Sequence, residues 1–163
     1  MKVEKINLYG TNCAVFHVPV NNRIVFMSAD LYSSEEDCSY VIFADRFRFE
    51  SVWFKCGFNE APDLARGNEN SWRNDYKFHL AEDGFNGGIE NPVPLATFSS
   101  FDCYPSVSIT DGMTRTIWLM ANGAKYFPVF TYGKESAINL HRYIGVKNSR
   151  IYSNNDLYIY FDK

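Results

Sequence analysis

Residues 106–130 decide the fold of this chain: Ser-Val-Ser-Ile-Thr-Asp-Gly-Met-Thr-Arg-Thr-Ile-Trp-Leu-Met-Ala-Asn-Gly-Ala-Lys-Tyr-Phe-Pro-Val-Phe. Val107 and Ile109 alternate with Ser106, Ser108 and Thr110, the period of a strand with one buried face. Asp111-Gly112 breaks that strand, since Asp can cap a helix and Gly accepts the angles of a tight turn. Met113, Ile117, Met120, Ala121 and Ala124 then recur at helical spacing. Gly123 stands where a left-handed C-terminal residue belongs, and Phe127-Pro128-Val129-Phe130 restarts extended structure. The pattern predicts a mixed α/β domain in which strands 107–109 and 127–130 are neighbours in one sheet, joined by a helix over 113–122. The handedness rule for crossover connections supports parallel pairing if the two strands lie directly side by side.

The same turn carries the chemistry. A turn feeding a helix N-terminus presents free backbone N–H groups and a positive dipole end, with Arg115 in the first turn beside them. Gly112 permits close approach, Thr114 and Thr116 supply hydroxyls, and Arg115 supplies a bidentate fork for a phosphate. The plainer alternative is a capped helix whose Arg115 pairs with a carboxylate.

Gly112-Met113-Thr114-Arg115 followed by Gly123 and Pro128 resembles the Gly-x-x-Arg signature of the ParB/sulfiredoxin-like superfamily. Within it, the wording of residues 111–124 and the upstream run Asn91-Pro92-Val93-Pro94-Leu95-Ala96 look like the plasmid fertility inhibition factor family. The resemblance covers residues 70–132 as a motif core, and the first 65 residues only by architecture. It implies one ParB/sulfiredoxin-like domain over 1–163 with an N-terminal β-rich extension. It also implies suppression of conjugative or type IV secretion DNA transfer, with ATP hydrolysis and nuclease activity associated with some members. On that basis the expected nucleotide site is Gly112, Met113, Thr114, Arg115, Thr116 and Lys77, with Asp111 and Arg115 as catalytic residues. ATP or another nucleotide with magnesium is the expected cofactor. The expected partners are the transferred DNA strand or a coupling protein of the secretion apparatus. Two positions depart from the superfamily. Met113 stands where sulfiredoxin chemistry needs a Cys, which removes peroxiredoxin repair; Thr114 replaces a frequent Arg or His, which removes one charge from the phosphate site.

The rest of the composition frames these expectations. A chain of 163 residues suits one domain with one core, and aromatics at 17% can fill that core or make a sticky face. The net charge of −3 leaves no basic surplus for nucleic acid. No apolar run approaches membrane-spanning length and no secretory signal is visible, so the expected location is the cytoplasm. Cys13, Cys38, Cys56 and Cys103 are scattered; free thiols are expected, with Cys13 and Cys103 buried.

Along the chain, residues 2–20 and 23–27 read as a hairpin around Asn21-Asn22. Residues 33–37 open a helix or cover a loop, 40–43 read as strand or buried segment, and 46–58 are aromatic-rich and ambiguous. Residues 60–74 are the best loop, 72–83 a helix ended by Asp83-Gly84, 134–144 a helix stopped by Gly145, and 151–161 closing strands around Asn154-Asn155. Trp72 is core or a stacking platform for a base, and Lys77 is kept as a phosphate contact because it precedes the proline run. Asp75, Glu82, Asp83 and Glu90 are acids that could converge on Asp111, but no His or Cys spacing marks a metal site. Two functions follow: a nucleotide-using inhibitor acting at the Gly112–Arg115 turn, or a non-catalytic module that binds a protein partner through an aromatic surface.

Overall fold

The computed structural model describes residues 1–36, 38–57 and 60–161. Its first three strands, β1 (Val3–Leu8), β2 (Thr11–Pro19) and β3 (Ile24–Asp30), form an antiparallel meander. Tyr9 and Gly10, at φ 50° and 90°, make a two-residue turn of the kind whose twist matches paired strands. The hairpin at Asn21-Asn22 is closed by the Val20 N–H donating to Arg23 C=O at 2.9 Å. Residues 33–36 are loop, and Asp37 lies outside the described residues.

Strand β4 (Ser39–Asp45) runs directly into α1 (Arg46–Cys56) because Asp45 caps that helix, accepting from the Arg48 N–H at 3.0 Å. The ambiguous aromatic stretch is therefore helical to Cys56, and Phe58 lies outside the described residues. Residues expected as loop hold two short helices, α2 (Pro62–Ala65) and α3 (Glu69–Arg73). Pro62 starts the first, and a reciprocal Asn68–Ser71 capping box starts the second. The helix expected over 72–83 is split: Asp75 accepts from the Lys77 N–H and turns the chain before α4 (Phe78–Phe85), which runs past Asp83-Gly84.

Strands β5 (Val93–Pro94), β6 (Ala96–Ser99) and β7 (Ser108–Asp111) precede α5 (Met113–Ala121), β8 (Tyr126–Tyr132) and α6 (Lys134–Ile144). Helix α6 stops at Gly145 as expected. One sheet has the order β1-β2-β3-β5. The second has the order β7-β6-β8-β4-β9, with β9 (Tyr152–Ser153) pairing β4. This corrects one expectation. The two strands flanking α5 share a sheet but are neither neighbours nor parallel: β6 lies between them, parallel to β8 and antiparallel to β7, so β7 and β8 run in opposite directions. The proline run is the reason: it carries the chain from β5 in the first sheet to β6 in the second, so β6 occupies the slot beside β8.

The C-terminal expectation is also corrected. Only Tyr152–Ser153 is strand, and Asn154–Phe161 forms helix α7. Ser153 and Asp156 make reciprocal contacts at 3.0 and 3.1 Å that start the helix where a turn was expected. Asn154 anchors α7 to the first sheet, donating to Asp30 C=O and accepting from the Tyr32 N–H.

The buried core joins both sheets and the helices: Phe16, Val18, Val25 and Met27 of the first sheet belong to the same cluster as the aromatic residues of α1 and the second sheet. Phe49 stacks on Trp53 at 5.3 Å and touches Phe98 and Phe127 at 5.2 and 6.0 Å. Each such fully buried ring contributes roughly 1.5–3 kcal/mol relative to exposure. Arg48 reaches from α1 to the end of α6, donating to the carbonyls of Arg142 and Gly145, a favourable place for a cation. At the outer edge of β7, the Glu60 carboxylate accepts from the Ser108 hydroxyl and from the Ile109 N–H.

Candidate functional site

The site begins at a bulge. Thr97 faces Asp111 and Phe98 faces Ile109, so Thr110 is the extra residue of β7, and its hydroxyl donates to Thr97 C=O at 3.0 Å. Bulges re-aim the residues that follow them. Here they deliver Asp111 to the surface and Gly112 to the helix start. Gly112 sits at φ 89°, and a Cβ there would lie 2.6 Å from the Ala96 Cβ and 2.8 Å from the Arg115 Nη2. Both the backbone angle and the packing therefore require glycine.

Helix α5 is treated unequally at its two ends. At the C-terminus, Gly123 at φ 78° closes a Schellman turn, with Gly123 N–H to Met120 C=O at 3.1 Å and Ala124 N–H to Leu119 C=O at 3.0 Å. Arg73 adds a donor to Ala121 C=O at 2.9 Å. At the N-terminus Gly112 is the cap residue and offers no side chain, so the first-turn N–H groups have no side-chain partner. Asp111 does not cap the helix. Its carboxylate instead accepts from Arg115 Nη2 at 2.7 Å.

Arg115 is about four-fifths buried, with 21% of its side chain exposed, against 72% for Asp111. Its Nη2 also reaches Leu95 C=O at 3.4 Å, at the point where the chain crosses from one sheet to the other. Its Nε is buried without a hydrogen-bond partner. The guanidinium thus combines an ion pair, a grip on the sheet seam and one unsatisfied donor. Thr114 and Met113 are half-buried, whereas Thr116 is fully buried and donates to Gly112 C=O at 2.9 Å. Lys77 stands at the cap of α4, exposed, with its ammonium 5.3 Å over the Tyr76 ring; the polar contacts of the Gly112 turn run to Asp111, Leu95 and Gly112 itself.

Beside the turn, a cleft of about 360 Å³ opens where the two sheets meet, lined among others by Asp30, Tyr32, Leu95, Thr97, Asp111 and Tyr132. Asp30 and Tyr32 come from the end of β3 and the loop after it, far from the motif, and Tyr132 from the end of β8, so nothing local in the sequence points to the three together. The acids upstream serve other ends. Glu82 accepts from the Trp118 indole at 2.5 Å and pairs with Arg23 at 3.3 Å, and Trp118 stacks on Phe85 at 4.2 Å. Trp72 is core, its indole donating to Leu64 C=O at 2.8 Å. Among the described residues no group of three or more His, Cys, Asp or Glu is placed to hold a metal ion.

Comparison with known proteins bears on this geometry. A family model described as plasmid fertility inhibition factor matches residues 41–145, from β4 through the Gly112 turn to the end of α6. The chain belongs to the plasmid fertility inhibition factor family. It is 30% identical to protein osa of Shigella flexneri over 138 residues, covering 83% of this chain and 70% of that protein. It is also similar to the crystal structure of the Oncogenic Suppression Activity protein, a plasmid fertility inhibition factor, solved as a gold(I) cyanide derivative. The TM-score is 0.78 at 26% identity, covering 98% of this chain and 82% of that one. No helix among the described residues of this fertility inhibition factor is long and apolar enough to cross a membrane. Cys13 is buried, Cys56 half-buried, and Cys38 and Cys103 exposed. The expected burial of Cys103 is thus corrected, because Phe101, Cys103 and Tyr104 share a surface loop.

Proposed function

We propose that this fertility inhibition factor suppresses conjugative DNA transfer by binding a nucleotide phosphate at the start of α5. The observation that supports this reading is the asymmetry of that helix: its C-terminal carbonyls are met by the Schellman turn and by Arg73, while the first-turn N–H groups at the other end have no side-chain cap. The residues present fit a phosphate. Gly112, Met113 and Thr114 would offer main-chain donors, and Arg115 a guanidinium that would exchange its pairing with Asp111 for a phosphate oxygen. A magnesium ion accompanying the nucleotide would be held by the phosphates and Asp111, in keeping with the preference of that ion for few protein ligands. A bound nucleotide would supply the phosphoanhydride for an ATPase activity; Arg115 would stabilise the negative charge on it and Asp111 would orient a water beside the metal. Hydrolysis of the transferred strand would place a DNA phosphate on the same donors.

The ion pair between Asp111 and Arg115 favours a second reading, in which the turn is a structural strut and inhibition is exerted by binding a component of the transfer apparatus. Arg115→Ala separates the two. In the first reading the variant, titrated calorimetrically with ATP and magnesium, loses affinity by roughly ten- to hundredfold. It also fails to block plasmid transfer between mating cells, while its melting temperature stays within a few degrees. Full inhibition by a folded Arg115→Ala protein would discard the phosphate reading and leave the partner reading.

A further inference from the structure

Helix α1 carries apolar residues that the fold does not use. Phe49 and Trp53 are fully buried and fill its inward face. Phe47 and Phe54 point the other way, with 66% and 52% of their surface exposed. They stand seven residues apart, two helical turns or about 10.5 Å, with Ser51 between them. The small serine makes the floor of a depression of about 550 Å³ walled by the two rings and by Arg46, Glu50 and Lys55. Lys55 also lines a second cleft of about 370 Å³, with Phe101 and Tyr104, which are 62% and 57% exposed. One continuous face therefore displays four large rings around a single lysine. Scattered exposed apolar residues need no explanation, but a contiguous group of this kind marks an interaction surface.

The charges on this face select the class of partner. Arg46 pairs with Glu50 at 3.6 Å and lies 5.5 Å over the Phe47 ring, while the Arg66 guanidinium lies 5.6 Å over Phe54. The Glu60 carboxylate is engaged by β7, and Asp102 sits across the cleft from Lys55. Positive and negative groups balance, so the face lacks the surplus of cations that binding a polyanionic strand requires. Exposed Phe and Tyr interleaved with arginines is instead the composition of the centre of a protein interface. Within that balance the Lys55 ammonium makes no ion pair among the described residues, so it is free to meet a carboxylate brought by a partner.

We propose that α1 and the loop bearing Phe101 and Tyr104 form a docking face for a protein partner. The partner presents a large apolar side chain that enters the Ser51 depression, with a carboxylate beside it to meet Lys55. This rests on the partner-binding reading of function and places its contact surface away from the Gly112 turn.

The test uses Phe47→Ala/Phe54→Ala and Lys55→Glu in the full chain, together with a photo-crosslinking amino acid at position 51 in mating donor cells. Both aromatic positions are exposed, so urea denaturation midpoints should match that of the parent. Inhibition of plasmid transfer should fall roughly tenfold or more in each variant, and a protease-sensitive adduct from position 51 should vanish with it. Full inhibition by the folded double variant overturns the docking face. An adduct removed by nuclease rather than protease overturns it in favour of nucleic acid. Failure of this face does not touch the partner reading itself, which stands or falls on Arg115→Ala.

Discussion

At the scale of single residues, burial sorts the four thiols. Burial, then the hydrogen bond and charge of Asp30, raise Cys13 to about 11, and burial raises Cys56 as well. Cys13 donates to Asp30 Oδ1 at 3.4 Å, a contact that favours the protonated form. Native protein treated with a thiol reagent at neutral pH should show two fast groups, Cys38 and Cys103, and two slow ones, Cys13 and Cys56. Four equally fast groups would contradict the packing of β2. The sign of the pH effect follows from the raised value. The unfolded chain releases the Cys13 proton near pH 9 while the folded chain keeps it, so this contribution to stability is complete below 9 and declines as pH rises toward 11. Cys13→Ala should flatten that decline by on the order of 1 kcal/mol per pH unit, seen as converging urea midpoints of variant and parent at alkaline pH.

At the scale of elements, the turn into α5 is the clearest constraint. Gly112→Ala places a methyl group 2.6 Å from the Ala96 Cβ at φ 89°. The substitution should destabilise the protein by about 1–3 kcal/mol, measured as a lower urea midpoint with an unchanged slope. An unchanged midpoint would mean that the turn relaxes without cost. This element was legible in the sequence because its signals are local: a two-residue alternation, a glycine at each end of the helix, and a proline restarting the strand. Helix α7 has an equally local signal, which competes with a second one. Ser153-Asn154-Asn155-Asp156 is a capping box ahead of Leu157, while the Asn pair by itself points to a turn between strands; the reciprocal Ser153–Asp156 contacts decide for the helix. The split of the helix over 72–83 depended on one Asp75 side chain competing for a backbone N–H, which periodicity does not register.

At the scale of the whole molecule, what escaped the sequence was adjacency. That β6 lies between β7 and β8 is decided by the passage of the proline run between the two sheets, and the cleft beside Asp111 collects Asp30, Tyr32 and Tyr132 only once that passage is made. Motif residues could be named in advance, but the walls of their pocket could not. The same second sheet ends on β7, whose far side has no neighbouring strand among the described residues. An open strand of this kind is a template on which another chain can add itself, the usual route to ordered aggregates. Glu60 closes it: one carboxylate takes up the outward Ile109 N–H and the Ser108 hydroxyl, and puts a negative charge where a second backbone would have to come. Glu60→Ala should leave the isolated molecule folded yet make it self-associate, with light scattering rising steeply with protein concentration while Glu60→Gln, which keeps an acceptor, stays closer to the parent. A single acid at a sheet margin would then be what keeps this fertility inhibition factor from adding a second copy of itself to its own sheet.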